Sequence, residues 1–143
     1  MRLAVAALVL FIHATLQAQE LRVTDYLFKR PGGLSKILGK KMRTGECADT
    51  DGRQIEYERG YVCVARGVVV LFSCDLRHQA NTPDEALSAV GLSTNVRPDH
   101  PGGAAYQWTK VFGNPMRVSG KFATRVIAVV GERSSVTMNM GAE

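Results

Sequence analysis

One cysteine and one histidine of this sequence have the residue types and the spacing that a thiol hydrolase could use. Cys74 stands four residues before His78, and Asp75 follows the cysteine directly. A thiolate activated by an imidazole is an effective nucleophile. Catalytic cysteines, however, more often lie at a helix start or beside a fixed base in a cleft, which sequence neighbours rarely provide. The pattern therefore favours a structural Cys74 and leaves a small envelope hydrolase as the alternative function.

The number of cysteines allows one bridge, since the chain contains three and one thiol is left over. In the strand register derived below, Cys63 lies opposite Val70, and Cys74 lies four residues further along that strand. Four extended residues span more than about 12 Å, beyond the roughly 7 Å limit between the Cα atoms of a disulfide. We therefore expect no bond between Cys63 and Cys74, and we predict that a bridge, if one forms, joins Cys47 and Cys74.

The first 18 residues predict a cleavable secretion signal. Arg2 precedes an apolar run over residues 3–12, and the small residue Ala18 ends the more polar segment that follows. The run is shorter than the roughly 18 to 20 residues that cross a bilayer as a helix, so we expect cleavage. Residues 19–143 are then one exported domain, periplasmic or secreted, without a transmembrane segment and in a compartment that permits disulfides.

Two Arg-Gly steps divide the middle of the chain into short strands. The steps, at 59–60 and 66–67, separate β-branched and aromatic runs at 55–58, 61–65 and 68–74. Such runs joined by short turns predict a three-stranded antiparallel meander.

Two amphipathic helices are predicted to flank this meander. Apolar residues recur at helical spacing from Leu34 to Met42, with basic residues on the opposite side. The second helix should begin after Thr82, a favourable N-cap, with Pro83 at the first helical position and Glu85 three residues after the cap.

Three further strands are expected at about 104–112, 121–130 and 134–140. The order of elements predicts an α+β fold, an antiparallel sheet packed by two short helices. Because each helix precedes three strands, the same order suggests two αβββ units side by side.

Part of this pattern is similar to a group of small envelope proteins. The tripeptide at 38–40, Leu-Gly-Lys, closes the predicted first helix, and a tyrosine-containing strand, an Arg-Gly turn, an alternating strand and a second glycine turn lead to the valines at 68–70. Over about 40 residues this arrangement resembles the SmpA/OmlA and β-lactamase-inhibitor type of protein. The lipidated cysteine of SmpA/OmlA lipoproteins is absent here. The resemblance implies a module that binds protein partners and has no catalytic residues.

Alternation along the meander gives its sheet one apolar face and one mixed face. Two-residue turns place Tyr57 opposite Val62, and Val62 opposite Leu71, on the apolar side. The mixed side combines aliphatic, aromatic and charged residues, as the centre of an interface does; the alternative is that the second αβββ unit covers it. We predict that this face contacts a partner through Glu56, Glu58, Tyr61, Val70 and Phe72.

The charge of the chain favours anionic partners. Its formal net charge is +5, and residues 26–45 contain no acidic residue. Aromatic residues for base stacking are missing from the predicted basic helix, so nucleic acid is not expected.

The histidines are too few and too scattered for a zinc site, and we predict no metal and no cofactor. The sequence thus predicts an exported, non-enzymatic module that binds a protein or an anionic envelope component. The basic residues of the 26–45 segment are Lys29, Arg30, Lys36, Lys40, Lys41 and Arg43.

Overall fold

Strands dominate the protein. The computed structural model describes residues 19–48, 51–109, 117–118 and 121–141, so the predicted signal peptide lies outside the described residues and its cleavage stays a prediction. The strands are β1 (Lys41–Glu46), β2 (Arg53–Tyr57), β3 (Gly60–Ala65), β4 (Val68–Asp75), β5 (His100–Gly102), β6 (Ala105–Thr109), β7 (Arg117–Val118), β8 (Lys121–Phe122), β9 (Arg125–Val129) and β10 (Ser135–Asn139). Eight of them form one antiparallel sheet in the order β1-β2-β3-β4-β10-β9-β6-β5, and β7 pairs with β8.

Helices are few and short in the described residues. A 3-10 turn covers Val23–Asp25, α1 covers Ser35–Leu38 and α2 covers Pro83–Ala89. The prediction of an α+β fold is therefore wrong, because the protein is predominantly β. The two predicted αβββ units are wrong as well, since a four-stranded meander, β1 to β4, follows α1. No helix among the described residues has the length and apolar character needed to cross a membrane.

The first predicted helix ends after one turn because of its glycine. Gly39 has a φ of 82°, which favours glycine, and a Cβ there would lie 2.5 Å from Oε2 of Glu58. The same oxygen accepts a hydrogen bond from the backbone N–H of Lys40 at 2.8 Å, the group that a continuing helix would pair with Lys36. The chain therefore proceeds as strand β1 where the apolar spacing predicted helix.

The second predicted helix is confirmed at its start. Oγ1 of Thr82 accepts from the N–H of Glu85 at 3.2 Å, and Oε2 of Glu85 accepts from the N–H of Asn81 at 2.7 Å. Pro83 occupies the first helical position. Two of the N–H groups at the helix start are thus satisfied by side chains, as the sequence indicated.

The meander is confirmed as β2, β3 and β4, but its first turn differs from the prediction. The turn is Glu58-Arg59, and Gly60 pairs with Tyr57 inside the ladder. A Cβ at Gly60 would lie 2.1 Å from the backbone oxygen of Ser73 in β4. Its pairing with Tyr57 places Gly60 in the strand rather than in the turn. The close approach of β3 to β4 at this residue leaves no room for a larger side chain.

A β-bulge in β4 decides which of its side chains face the core. The predicted turn Arg66-Gly67 between β3 and β4 is confirmed, and both of its residues have positive φ. Further along, the register shifts and leaves Val70 without a partner in β3. An inserted residue moves all later side chains to the other face. Phe72 and Cys74 therefore turn toward the main core.

Sheet pairing aligns the main core in a row across six neighbouring strands. The N-terminal segment covers this side of the sheet, where the N–H of Phe28 donates to the carbonyl of Val69 at 2.8 Å. Trp108 is buried here, and its Nε1 donates to the carbonyl of Val96 at 2.9 Å. Each such large apolar side chain contributes about 1.5 to 3 kcal/mol on burial. The row consists of Ile55, Val62, Phe72, Met138, Val126 and Trp108.

The close approach at Gly60 predicts a measurable cost of substitution. Gly60→Ala should lower the free energy of unfolding by about 1 to 3 kcal/mol, as overpacking usually does. Gly32→Ala is the control, since nothing lies within 4 Å of a Cβ there and its φ is not positive; its effect should stay within about 0.5 kcal/mol. Urea unfolding of both variants measures the difference, and equal midpoints would contradict this register.

Candidate functional site

The structure does not bring the five predicted contact residues together on one exposed surface. Phe72 is 1% exposed and Val70 is 4% exposed, so neither can contact a partner. The ring of Phe72 stacks on Tyr26 in the main core, with ring centroids 5.6 Å apart. Glu56 and Tyr61 remain neighbours as paired residues of β2 and β3. The bulge in β4 is the physical reason that Phe72 was placed on the wrong face.

The two glutamates that were predicted to contact a partner instead bind groups in or next to strand β1. The Glu56 carboxylate accepts hydrogen bonds from the guanidinium of Arg43 in β1 and from Nε2 of Gln54. The hydrogen bond from Arg43 is the main cause that lowers the pKa of Glu56. Glu58 is exposed and holds the N–H of Lys40. Both carboxylates therefore position β1 against β2.

Strand β1 is an open edge of the sheet that the described residues form. It stands at one end of the strand order, and all six of its residues are exposed. Met42 at its centre is 62% exposed, which is unusual for a large apolar side chain. Lys41 and Arg43 belong to this strand and Lys40 precedes it, so a large part of the basic segment lies along the edge rather than on a helix.

A disulfide fixes the far end of this edge. Cys47 follows β1 directly and is bonded to Cys63 of β3, with the two Cα atoms 6.0 Å apart. The predicted pairing of Cys47 with Cys74 is wrong, because the bulge turns Cys74 into the main core while Cys63 stays on the other face with Cys47. The prediction that Cys63 and Cys74 are not bonded is confirmed.

Cys74 lacks the surroundings of a nucleophile. Its free thiol is buried, and this burial raises its pKa to about 12. Arg59 lowers that pKa by a smaller amount, whereas Glu20 and Asp75 raise it. A neutral, inaccessible thiol cannot attack a substrate near neutral pH. His78 is exposed in the following loop, where its backbone N–H donates to Glu20 at 2.9 Å.

A cavity of about 370 Å³ opens beside that loop, between the N-terminal segment and α1. Glu20 forms one wall with a side chain only 8% exposed, and it lies 3.5 Å from Nη2 of Arg59. Its carboxylate also accepts from the backbone N–H groups of Arg77 and His78, each at 2.9 Å. These two N–H groups are thus occupied by a carboxylate of the chain itself and are not free to bind an external anion.

Arg59 joins three segments of the chain beside this cavity, and we call this set of contacts the Glu20 junction. Its guanidinium donates to the carbonyl of Ile37 at 2.8 Å and to the carbonyl of Asp75 at 3.0 Å, in addition to its ion pair with Glu20. It therefore links the end of α1, the end of β4 and the N-terminal segment. Sequence reasoning missed this junction, because its members are far apart along the chain and match no motif.

Comparison of the chain with family models, with curated proteins and with solved structures gave no match. The resemblance to SmpA/OmlA and β-lactamase-inhibitor proteins therefore stays a prediction.

The burial of Cys74 predicts an unreactive thiol. In the native protein at pH 7.5 a thiol reagent such as dithionitrobenzoate should label no cysteine within minutes, and after denaturation without reductant it should label Cys74 alone. The reason is that the thiol is inaccessible and its pKa is raised to about 12. Rapid labelling of the native protein would contradict the buried placement and would restore the hydrolase alternative.

The Glu20 junction predicts a structural role for that carboxylate. Glu20→Gln should lower the free energy of unfolding by about 1 to 3 kcal/mol, since two backbone N–H groups and Arg59 lose a charged acceptor. Glu132→Gln, at an exposed position, is the matched control and should change it by less than about 0.5 kcal/mol. Chemical unfolding measures both, and a neutral Glu20→Gln would show that the junction adds no stability.

Proposed function

We propose that this protein is an exported, non-enzymatic binding module that recognises a partner with an anionic surface, and that the basic edge of its sheet makes the contact. The proposal keeps the function expected from the sequence but moves the contact surface. It is carried by one observation: β1 is an edge strand whose six residues are all exposed. We use the name basic edge for β1, Lys40 and Lys36, the last of which belongs to the preceding α1 and also lines the cavity beside Glu20.

The charge of the basic edge supports an anionic partner. Arg43 is neutralised by Glu56, whereas Lys36, Lys40 and Lys41 form no ion pair with any described residue. Exposed lysines without a partner create a positive potential that attracts anions and speeds their association. Such attraction between exposed charges is screened by salt, so binding should be strongly salt-dependent.

The burial of two predicted contacts supports moving the surface from the sheet face to its edge. Val70 and Phe72 supplied the aliphatic and aromatic anchors of the predicted face, and both are inaccessible. Tyr61 stays half-buried beside Glu56, two strands away from the edge. Tyr61 and Glu56 can therefore serve as the rim of a contact that is centred on β1.

The geometry does not support the hydrolase alternative. Catalysis by Cys74 requires an accessible thiolate beside a base, and this thiol is buried with a raised pKa. His78 lines the cavity beside Glu20, and Cys74 is not among the residues that line it.

A charge-reversal pair tests the proposed function. Binding of the mature protein to poly-L-glutamate and to anionic phospholipid vesicles is measured at about 50 and about 300 mM NaCl. Lys36→Glu with Lys41→Glu should weaken binding to the anionic probe at least about tenfold, because the variant removes the positive potential of the edge.

The matched control is Arg97→Glu with Arg133→Glu, which changes the net charge equally at exposed positions outside the basic edge. Its binding should fall by less than about threefold if location matters more than total charge. Equal losses in the two variants, or no binding of the wild type to either probe at low salt, would overturn the proposed function.

A further inference from the structure

We infer that the partner supplies an extended acidic segment that pairs with β1 and adds a strand to the sheet at this edge. The inference rests on the proposed function and deepens it, since it states how the basic edge binds and which chemical class of partner fits. Addition of a strand to an open sheet edge is an established way for proteins to bind peptides. The backbone, the disulfide and the charges of β1 each support it.

The hydrogen-bond pattern shows which backbone groups of β1 point away from the sheet. The N–H of Cys47 donates to the carbonyl of Gly52 at 3.2 Å, so this pair is of the hydrogen-bonded type. Bonded and non-bonded pairs alternate in an antiparallel ladder. Thr44 and Glu46, which lie opposite Ile55 and Arg53, are therefore in non-bonded pairs, and their N–H and C=O groups point outward to an incoming strand.

The edge is already held in its extended shape. The Cys47–Cys63 bond ties its far end to β3, and the pairing of Arg43 with Glu56 holds its middle. At the near end, Glu58 holds the N–H of Lys40. A surface that is ordered before binding avoids much of the entropic cost of association. These three contacts therefore prepare β1 to receive a strand.

The charges select an acidic occupant. Lys40 and Lys41 stand at the edge without a carboxylate partner among the described residues, so an acidic strand gains attraction from them. An antiparallel second copy would bring Glu46 of one copy near Lys41 of the other, and Arg43 is already paired with Glu56. The second copy would still add its own unpaired lysines to the same edge, which opposes self-pairing. An acidic segment therefore gains more attraction from the edge than a second copy does.

The dimensions set the length of that segment. The register of β1 with β2 shifts between Lys41 and Arg43, so its regular part is the four residues from Arg43 to Glu46. These extend over about 13 Å at 3.3 Å per residue. A partner segment of about four to six residues covers this length. Acidic residues that alternate with β-branched residues would combine the charge with a preference for the extended conformation.

Fluorescence anisotropy with a labelled acidic peptide tests the inference. The probe is the capped hexapeptide of three Glu-Val repeats, and its control is the same peptide with an N-methyl group on every backbone amide. The control keeps the charge but has no backbone N–H group to donate to β1. We expect the mature protein to bind the N-methylated peptide at least about tenfold more weakly than the probe.

Thr44→Pro supplies the complementary change in the protein. Proline removes an outward N–H that β2 does not use, and proline is tolerated at such edge positions. We expect this variant to lose at least about tenfold in affinity for the Glu-Val peptide and to keep its salt-dependent binding to poly-L-glutamate. An unchanged thermal midpoint verifies that the sheet is intact. If the variant does not fold, the peptide pair on the wild-type protein decides alone.

The outcomes separate this inference from the proposed function. If the probe and its N-methylated control bind equally, and Lys36→Glu with Lys41→Glu still abolishes binding to poly-L-glutamate, strand addition is wrong and the proposed function stands. If the wild type binds neither probe, both fail. If sedimentation shows a dimer that Thr44→Pro dissociates, a second copy occupies the edge and the inference is overturned.

Discussion

The hydrogen bond from the backbone N–H of Lys40 to the Glu58 carboxylate is the contact on which the proposed surface depends. It takes the N–H that would otherwise extend α1, and the positive φ of Gly39 turns the chain at the same point. The segment that follows can then pair with β2 as an edge strand. This contact and the turn at Gly39 place the basic residues from Lys40 onward on a strand rather than on a helix.

Two further features complete the arrangement at this end of the sheet. The bulge at Val70 turns Phe72 and Cys74 into the main core, which leaves Cys63 on the opposite face to bond with Cys47. Without the bulge, alternation would turn Phe72 and Cys74 to the opposite face of the sheet, away from the main core. The same irregularity therefore sets the core, the disulfide and the inertness of the remaining thiol.

Local signals predicted local structure well in this chain. The caps of α2 and the turn at Arg66-Gly67 follow from residue types within a few positions, and both are confirmed. The fold class was wrong because the helical spacing from Leu34 onward does not reveal that a side chain 18 positions away captures the N–H of Lys40. The register error at Gly60 has a similar origin, since its cause is the backbone of β4.

The candidate site was predictable only in part. The basic composition of residues 26–45 could be read directly from the sequence, and the placement of Glu56 and Tyr61 on one face of the sheet follows from the alternation of the meander. The exposure of β1 and the loss of Val70 and Phe72 from the surface depend on strand order and on the bulge, for which the sequence carries no local signal. The Glu20 and Arg59 junction likewise joins distant segments.

Amide hydrogen exchange of β1, followed by NMR with and without the Glu-Val peptide, tests the central claim most directly. In the free protein, the N–H groups of Thr44 and Glu46 should exchange quickly and those of Arg43 and Gly45, paired with β2, slowly. Bound peptide should slow exchange at Thr44 and Glu46. Slow exchange at these two residues in the free protein, or no change on peptide binding, would contradict an open edge that binds its partner as a strand.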